Sequence, residues 1–180
     1  MEFLTCPLDD VFIIKSPVLK DDRGYFSETF HIEKFKKAGI ELNCLQDNQS
    51  LSKKNVLRGL HFQNPPFAQG KLVRVLYGAA LDIIVDIRKK SPTFGRHFKI
   101  ELNDENHLML WVPPGFAHGF VALRDHTIFC YKCTGIYNKD SESGIIWNDS
   151  QLKIDWETAN PVISDKDRQL KSFAEFENKF

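Results

Sequence analysis

A chain of 180 residues gives a single domain, expected to run over residues 1–180, enough length to bury a core. Hydrophobic residues make up 42% and charged residues 27%, with 24 basic side chains against 24 acidic ones; this balance excludes a broad nucleic-acid surface and still allows a local cationic pocket. The strongest apolar stretch, Val73 to Ile87, is broken by Gly78 and Asp82, so no segment reads as a membrane span. Met1 to Thr5 lacks the basic-then-apolar layout of a signal peptide. A cytoplasmic protein with no membrane and no nucleic-acid partner is expected.

The first element is a strand at Val11 to Ile14, followed by a turn at Asp21-Asp22-Arg23-Gly24 and an extended run from Tyr25 to Phe30. Apolar residues at Ile32, Phe35 and Ala38 predict a short helix stopped by Gly39. Strands then dominate from Val56 to about Trp147. Leu72 to Tyr77 and Leu81 to Ile87 flank Gly78, which predicts a hairpin. Further strands are read at Gly95 to Leu102, Leu108 to Val112, Gly119 to Leu123 and Thr127 to Thr134, with a turn at Pro113-Pro114-Gly115. Short strands at regular spacing indicate a sandwich or barrel. Near the end, Ser164-Asp165-Lys166-Asp167 has the form of a capping box, and Leu170, Phe173, Ala174 and Phe180 suggest one face of a short helix.

Four cysteines occur, at positions 6, 44, 130 and 133. Cys130-x-x-Cys133 lies in a strand, where residues three apart face opposite sides, so reduced thiols are expected rather than a redox pair or a zinc site. The chemistry concentrates instead around Val56-Leu57-Arg58-Gly59-Leu60-His61-Phe62-Gln63 and Gln69-Gly70-Lys71. Strand alternation sets His61 and Gln63 on one face and Leu60 and Phe62 on the other. A lone His is more often a core residue; Arg58, Gln63 and Lys71 beside it favour a lined cavity. His118 in Pro114-Gly115-Phe116-Ala117-His118 has the same two readings. Asp82 and Asp86 interrupt an apolar strand and either orient a pocket residue or face water. Asp165 and Asp167 both suit the first turn of a helix, and the residues alone do not choose between them.

Pro114-x-x-x-His118 resembles the second metal motif of cupins, small β-barrels. The first cupin motif needs His-x-His, and here Gln63 stands at the second position with no Asp or Glu before Lys71. An amide is a poor ligand for a transition metal, so the barrel is expected and its metal is not.

Taken together, these motifs resemble the dTDP-4-dehydrorhamnose 3,5-epimerase family. The matching pieces are Arg23 to Phe30, Gln46 to Ser50, Val56 to Gln63, Gln69 to Val75, Asp86 to Gly95, Val112 to Phe120, Tyr131 to Thr134, Gly144 to Asp149 and Ser164 to Asp167, in family order. The resemblance implies a mostly β fold, a cupin-like antiparallel β-barrel (jelly roll) with short peripheral helices. It implies a homodimer that needs no cofactor and no metal, and a nucleotide-sugar substrate inverted at C3 and C5. By the same resemblance His61 is the base and Asp167 its carboxylate partner. Tyr131 protonates from the opposite face of the sugar, and Lys71 stands near the C4 carbonyl. Arg58 corresponds to the arginine on the diphosphate. Arg23, Phe26 and Glu28 correspond to a segment contacting the nucleotide across a dimer interface, and Gln46, Asn48, His118 and Tyr137 to other pocket positions. The sequence departs from the commonest family pattern at Thr134-Gly135-Ile136-Tyr137, at Pro114, and after Asp167; these departures touch substrate detail more than reaction type.

Overall fold

Alternating apolar side chains fold 42% of the chain into strands, which the computed structural model describes over residues 1–180. In chain order the elements are β1 (Glu2–Thr5), β2 (Phe12–Lys15), β3 (Leu19–Asp21), β4 (Gly24–Phe26), α1 (Ile32–Lys37), β5 (Gln46–Ser52), β6 (Leu57–Gln63) and β7 (Lys71–Tyr77). They continue with β8 (Ala79–Asp86), β9 (His97–Asn103), β10 (Leu108–Val112), β11 (Phe116–Ala122), β12 (Thr127–Cys133), β13 (Glu142–Gly144) and α2 (Asp165–Arg168). Neither helix is long and apolar enough to cross a membrane.

A six-stranded sheet runs β1-β2-β10-β7-β12-β5, and a five-stranded sheet runs β13-β6-β11-β8-β9. The sheets pack face to face through Val73 and Val75 of β7, Leu110 of β10 and Phe129 of β12 on one side. Ala80 and Ile84 of β8, Leu102 of β9 and Phe120 of β11 meet them from the other. The result is the mostly β, jelly-roll-like architecture expected, with the two sheets left separate rather than joined into one closed ladder. The outer face of the five-stranded sheet is covered by the C-terminal segment, where Ile145, Leu152, Trp156 and Ile163 cover Leu60, Phe62, Ile83 and Val85. Helix α1 covers part of the six-stranded sheet by packing Phe35 among Ile14, Leu72, Met109 and Trp111. With cover on both faces, all eight residues of β8 are buried.

Gly78 does not form the expected hairpin. β7 pairs with β10 and β12, whereas β8 pairs with β11 and β9. Only one residue separates the two strands, too few for a two-residue hairpin loop. Gly78 adopts φ +83°, and a Cβ there would lie 2.6 Å from Thr127 Oγ1. The chain therefore bends sharply into the opposite sheet.

The C-terminal reading also needs correction. Ser164 caps α2 as expected, its hydroxyl accepting from the Asp167 amide at 3.1 Å. The helix ends at Arg168, and Phe173, Phe176 and Phe180 reach the core from irregular backbone. Their spacing reflects anchoring onto a sheet rather than a helical face. Strands β1, β5 and β13, which alternation did not signal, complete the sheet edges. Asp86 faces no water: it is wholly buried and accepts from Arg88, Ser91 and Thr93. Burial pushes its carboxyl up, but these bonds outweigh burial and hold it below the usual carboxylate range. Each bond to a charged group is worth roughly 1.5–3 kcal/mol, so Asp86 is an anchor for the loop after β8.

Candidate active site

Strand β6 carries the first half of the site, and its irregularity matters. Arg58 and His61 are three apart and would face opposite sides of a regular strand. The register against β11 shifts between His118 and Phe120: His118 pairs with His61, and Phe120 with Arg58. Two residues of β6 thus oppose the single Gly119, a bulge that turns Arg58 to the same side as His61. Glycines make the approach possible: Gly59 has φ +123°, and a Cβ on it would lie 2.5 Å from the Gly119 Cα. Plain alternation does not anticipate Arg58 on this face.

The bulged strand opens a cavity of about 480 Å³ between the sheets, lined by Arg58, His61, Lys71, His118, Tyr131, Lys166 and Asp167. A smaller lobe of about 120 Å³ shares His61, Lys71 and Tyr131, and adds Gln46, Asn48, Gln63, Tyr137 and Glu142. His61 and His118 come from the five-stranded sheet, while Lys71 and Tyr131 come from the six-stranded one. The two pairs therefore face each other across the space.

His61 Nε2 lies 2.7 Å from Asp167 Oδ1, with 30% of the His61 side chain exposed and 3% of Asp167. The Asp167 carboxylate also accepts from the Gly59 amide. Burial raises its pKa, but the His61 contact and the backbone bond outweigh burial and hold it below the ordinary value. A carboxylate on Nε2 leaves Nδ1 as the imidazole's free acceptor. Of the two candidate acids, Asp167 meets the histidine. Lys71 is enclosed, and burial lowers its pKa against the opposing pull of Cys133, Asp82 and Glu142. Burial raises the pKa of Tyr131, keeping it a neutral phenol.

His118 is buried and lies 2.7 Å from Asp82, so Asp82 orients a pocket residue and does not face water. Gln63 is equally committed. Its amide donates to the Phe67 and Ile136 carbonyls and accepts from the Asn138 amide, so it serves as a loop brace. Gln46 donates to Asn48 and accepts from the Tyr137 amide, which ties these three pocket residues together. Arg58 donates to Ser52 Oγ and the Leu51 carbonyl. Cys130 and Cys133 are both free thiols.

Glu142 and Lys166 belong to the site although the sequence did not single them out. Glu142 Oε2 accepts from Tyr137 at 2.8 Å and from Lys166 at 2.6 Å. The available signal was Lys166 inside the capping box beside Asp167; Glu142 is brought in by the pairing of β13 with β6, which only the structure shows. Arg23, Phe26 and Glu28 are not brought to the cavity. Arg23 is exposed and paired with Asp21, and Glu28 is paired with Lys34. Phe26 lies along a separate groove with Thr29, Arg74, Leu76 and Met109.

A paired imidazole and carboxylate, an enclosed cation and a neutral phenol in one sugar-sized cavity fit a carbohydrate epimerase, and the chain is one. The family model described as dTDP-4-dehydrorhamnose 3,5-epimerase matches residues 5–175. A Shigella flexneri protein of that name is 46% identical over 176 residues, covering 97% of each chain. The crystal structure of dTDP-4-dehydrorhamnose 3,5-epimerase from Elizabethkingia anophelis superposes with a TM-score of 0.95 at 44% identity, over 99% of this chain and 98% of the other. A dTDP-6-deoxy-D-glucose-3,5-epimerase from Legionella pneumophila, solved in complex with dTDP-4-keto-L-rhamnose, has a TM-score of 0.94 at 41% identity, over 98% and 94%. The chain belongs to the dTDP-4-dehydrorhamnose 3,5-epimerase family.

Proposed function

We propose that the single domain of residues 1–180 inverts C3 and C5 of dTDP-4-keto-6-deoxy-D-glucose, giving dTDP-4-keto-L-rhamnose for dTDP-L-rhamnose biosynthesis. One observation carries the residue roles: the His61–Asp167 pair, at 2.7 Å, faces Lys71 and Tyr131 across the gap between the sheets. A 4-keto group acidifies the hydrogens on C3 and C5. His61 takes one of them, and Asp167 stabilises the imidazolium that forms. The electron pair moves onto the C4 oxygen as an enolate, where Lys71 offers positive charge, a contribution of roughly 3–4 kcal/mol for one well-placed group. Tyr131, on the other wall, returns a proton to the opposite ring face. His61 then releases its proton to water and Tyr131 regains one from water, and the steps are repeated at the second carbon.

Arg58, His118, Gln46, Asn48 and Tyr137 hold the nucleotide sugar in this reading, and no cofactor or metal takes part. Arg23 and Phe26, exposed on the β3–β4 hairpin outside the cavity, and Glu28, half-buried just after it, reach the nucleotide bound by a second copy. The protein is thus a cytoplasmic homodimer. Light scattering is expected to give twice the chain mass, and a monomer with full activity overturns this assignment.

The function is tested by incubating the protein with dTDP-4-keto-6-deoxyglucose in deuterated water after prolonged chelation. The expected NMR result is deuterium at both C3 and C5, with both centres inverted. Deuterium at C3 alone reduces the reading to a single epimerisation. Activity lost on chelation and restored by iron, manganese or zinc refutes the metal-free chemistry.

A further inference from the structure

The run from Gly135 to Tyr137 follows β12 and brings Tyr137 to the wall of the smaller lobe of the cavity. No backbone–backbone hydrogen bond reaches residues 135–137; the ladder stops at the bond from the Thr134 amide to the Gly70 carbonyl. Burial does not hold the run either, since Ile136 is 65% exposed and Tyr137 50%. A segment with neither ladder bonds nor buried side chains sits at the low end of local stability.

Glutamine side chains from three places supply what the backbone does not. Gln69, just before β7, donates to the Gly135 carbonyl at 2.6 Å. Gln46, at the start of β5, accepts from the Tyr137 amide at 2.8 Å. Gln63, at the end of β6, takes both sides of Tyr137. Its Nε2 donates to the Ile136 carbonyl at 3.3 Å, and its Oε1 accepts from the Asn138 amide at 2.7 Å. The same Nε2 donates to the Phe67 carbonyl at 2.6 Å, which ties the loop before β7 to the loop after β12. A side-chain amide offers the donor and acceptor of a peptide unit, so Gln63 acts as one more rung of sheet against residues 136–138. It is 5% exposed, and the carbonyls it satisfies have no strand to turn to. Beyond the backbone, the Tyr137 hydroxyl donates to Glu142 Oε2 at 2.8 Å, so the ring is held at its far end as well.

We propose that Gln63 is a positioning residue for ligand binding: by bracketing Tyr137 on both sides it sets that ring in advance against the lobe shared with His61, Lys71 and Tyr131. A ring already in place spares the ordering that a mobile one would need on binding. The clasp therefore acts on affinity rather than on the proton steps. The position where a cupin carries a metal ligand is here given to an amide, a poor ligand and a good rung. Contact between Tyr137 and the nucleotide sugar rests on the function proposed above; the clasp itself does not.

The test is a double-substitution cycle, read by calorimetry with dTDP-glucose, which lacks the 4-keto group, and by steady-state kinetics with the keto sugar. Gln63→Met matches the reach of the side chain and removes its amide. It is expected to weaken dTDP-glucose binding by about tenfold and to raise KM by a similar factor. Because only binding is lost, kcat should stay within about twofold. Tyr137→Ala should weaken binding at least as much, and adding Gln63→Met to it should cost less than about twofold more, because no ring is left to position. Effects that multiply in the double variant, an unchanged affinity in Gln63→Met, or a fall in kcat with KM unchanged overturns the proposal. If Gln63→Met does not fold, Gln63→Glu keeps the shape, removes the NH₂ donors and is read in the same cycle. If the unsubstituted protein fails to convert the keto sugar, the proposed function falls and the calorimetric cycle still decides the clasp.

Discussion

Replacing His61 by Ala is expected to lower kcat by roughly 10²- to 10⁴-fold, the range over which a positioned base accelerates proton transfer. Arg58, Lys71, His118 and Tyr131 remain around the cavity, so dTDP affinity should change little. The substitution also strips Asp167 of its main partner while that side chain is only 3% exposed. Some loss of thermal stability is therefore expected, and His61→Gln, which can still donate toward the carboxylate, should recover stability without recovering rate. Proton NMR of the sugar product gives the rate, and a melting curve gives the stability. Turnover within tenfold of the unsubstituted protein in both variants would mean that another group takes the proton.

Lys71→Met should cost roughly 3–4 kcal/mol of transition-state stabilisation, about 10²- to 10³-fold in kcat. Methionine keeps most of the apolar stem, one atom shorter, and removes the ammonium with its charge and its donors. The keto sugar should still bind, because the loss falls on the enolate and not on the ground state. A rise in KM with kcat unchanged would assign Lys71 to binding. The pH dependence follows from burial, which lowers the pKa of this lysine. The charge is present at low pH and lost as pH rises through the lowered value, so activity should fall on the alkaline side earlier than an exposed lysine would cause.

Much of the architecture was legible in alternation alone. Leu108 to Val112 is a strand at those limits, and the helix at Ile32 ends one residue before the expected Ala38. Gly78 misled because a glycine between two apolar strands signals a turn without saying which sheet receives the second strand. Phe173 and Phe180 misled because a buried aromatic looks the same on an irregular segment as on a helix. The site divides in the same way. His61 on the polar face of its strand follows from period two. The choice of Asp167 over Asp165 came only by resemblance, since helix position suits both. Glu142 escaped because a single carboxylate in a strand carries no local sign of its partner, and for the same reason Asp82 was legible as a possible orienter of a pocket residue without His118 being named as that residue.

The pairing of His61 with Asp167 spans 106 residues of chain, and this sets when activity can arise. Helix α2, which bears Asp167, is held by its cap and by contacts reaching back to β6. During synthesis the strands of both sheets up to β12 emerge before Asp167, the carboxylate that orients His61. Folds dominated by such distant pairings close slowly, in milliseconds to seconds, and proteins of this size fold through partly formed states. A chain that ends before α2 would hold the His61 imidazole without the carboxylate that orients it, so the last part of the sequence to be made is one that the site needs.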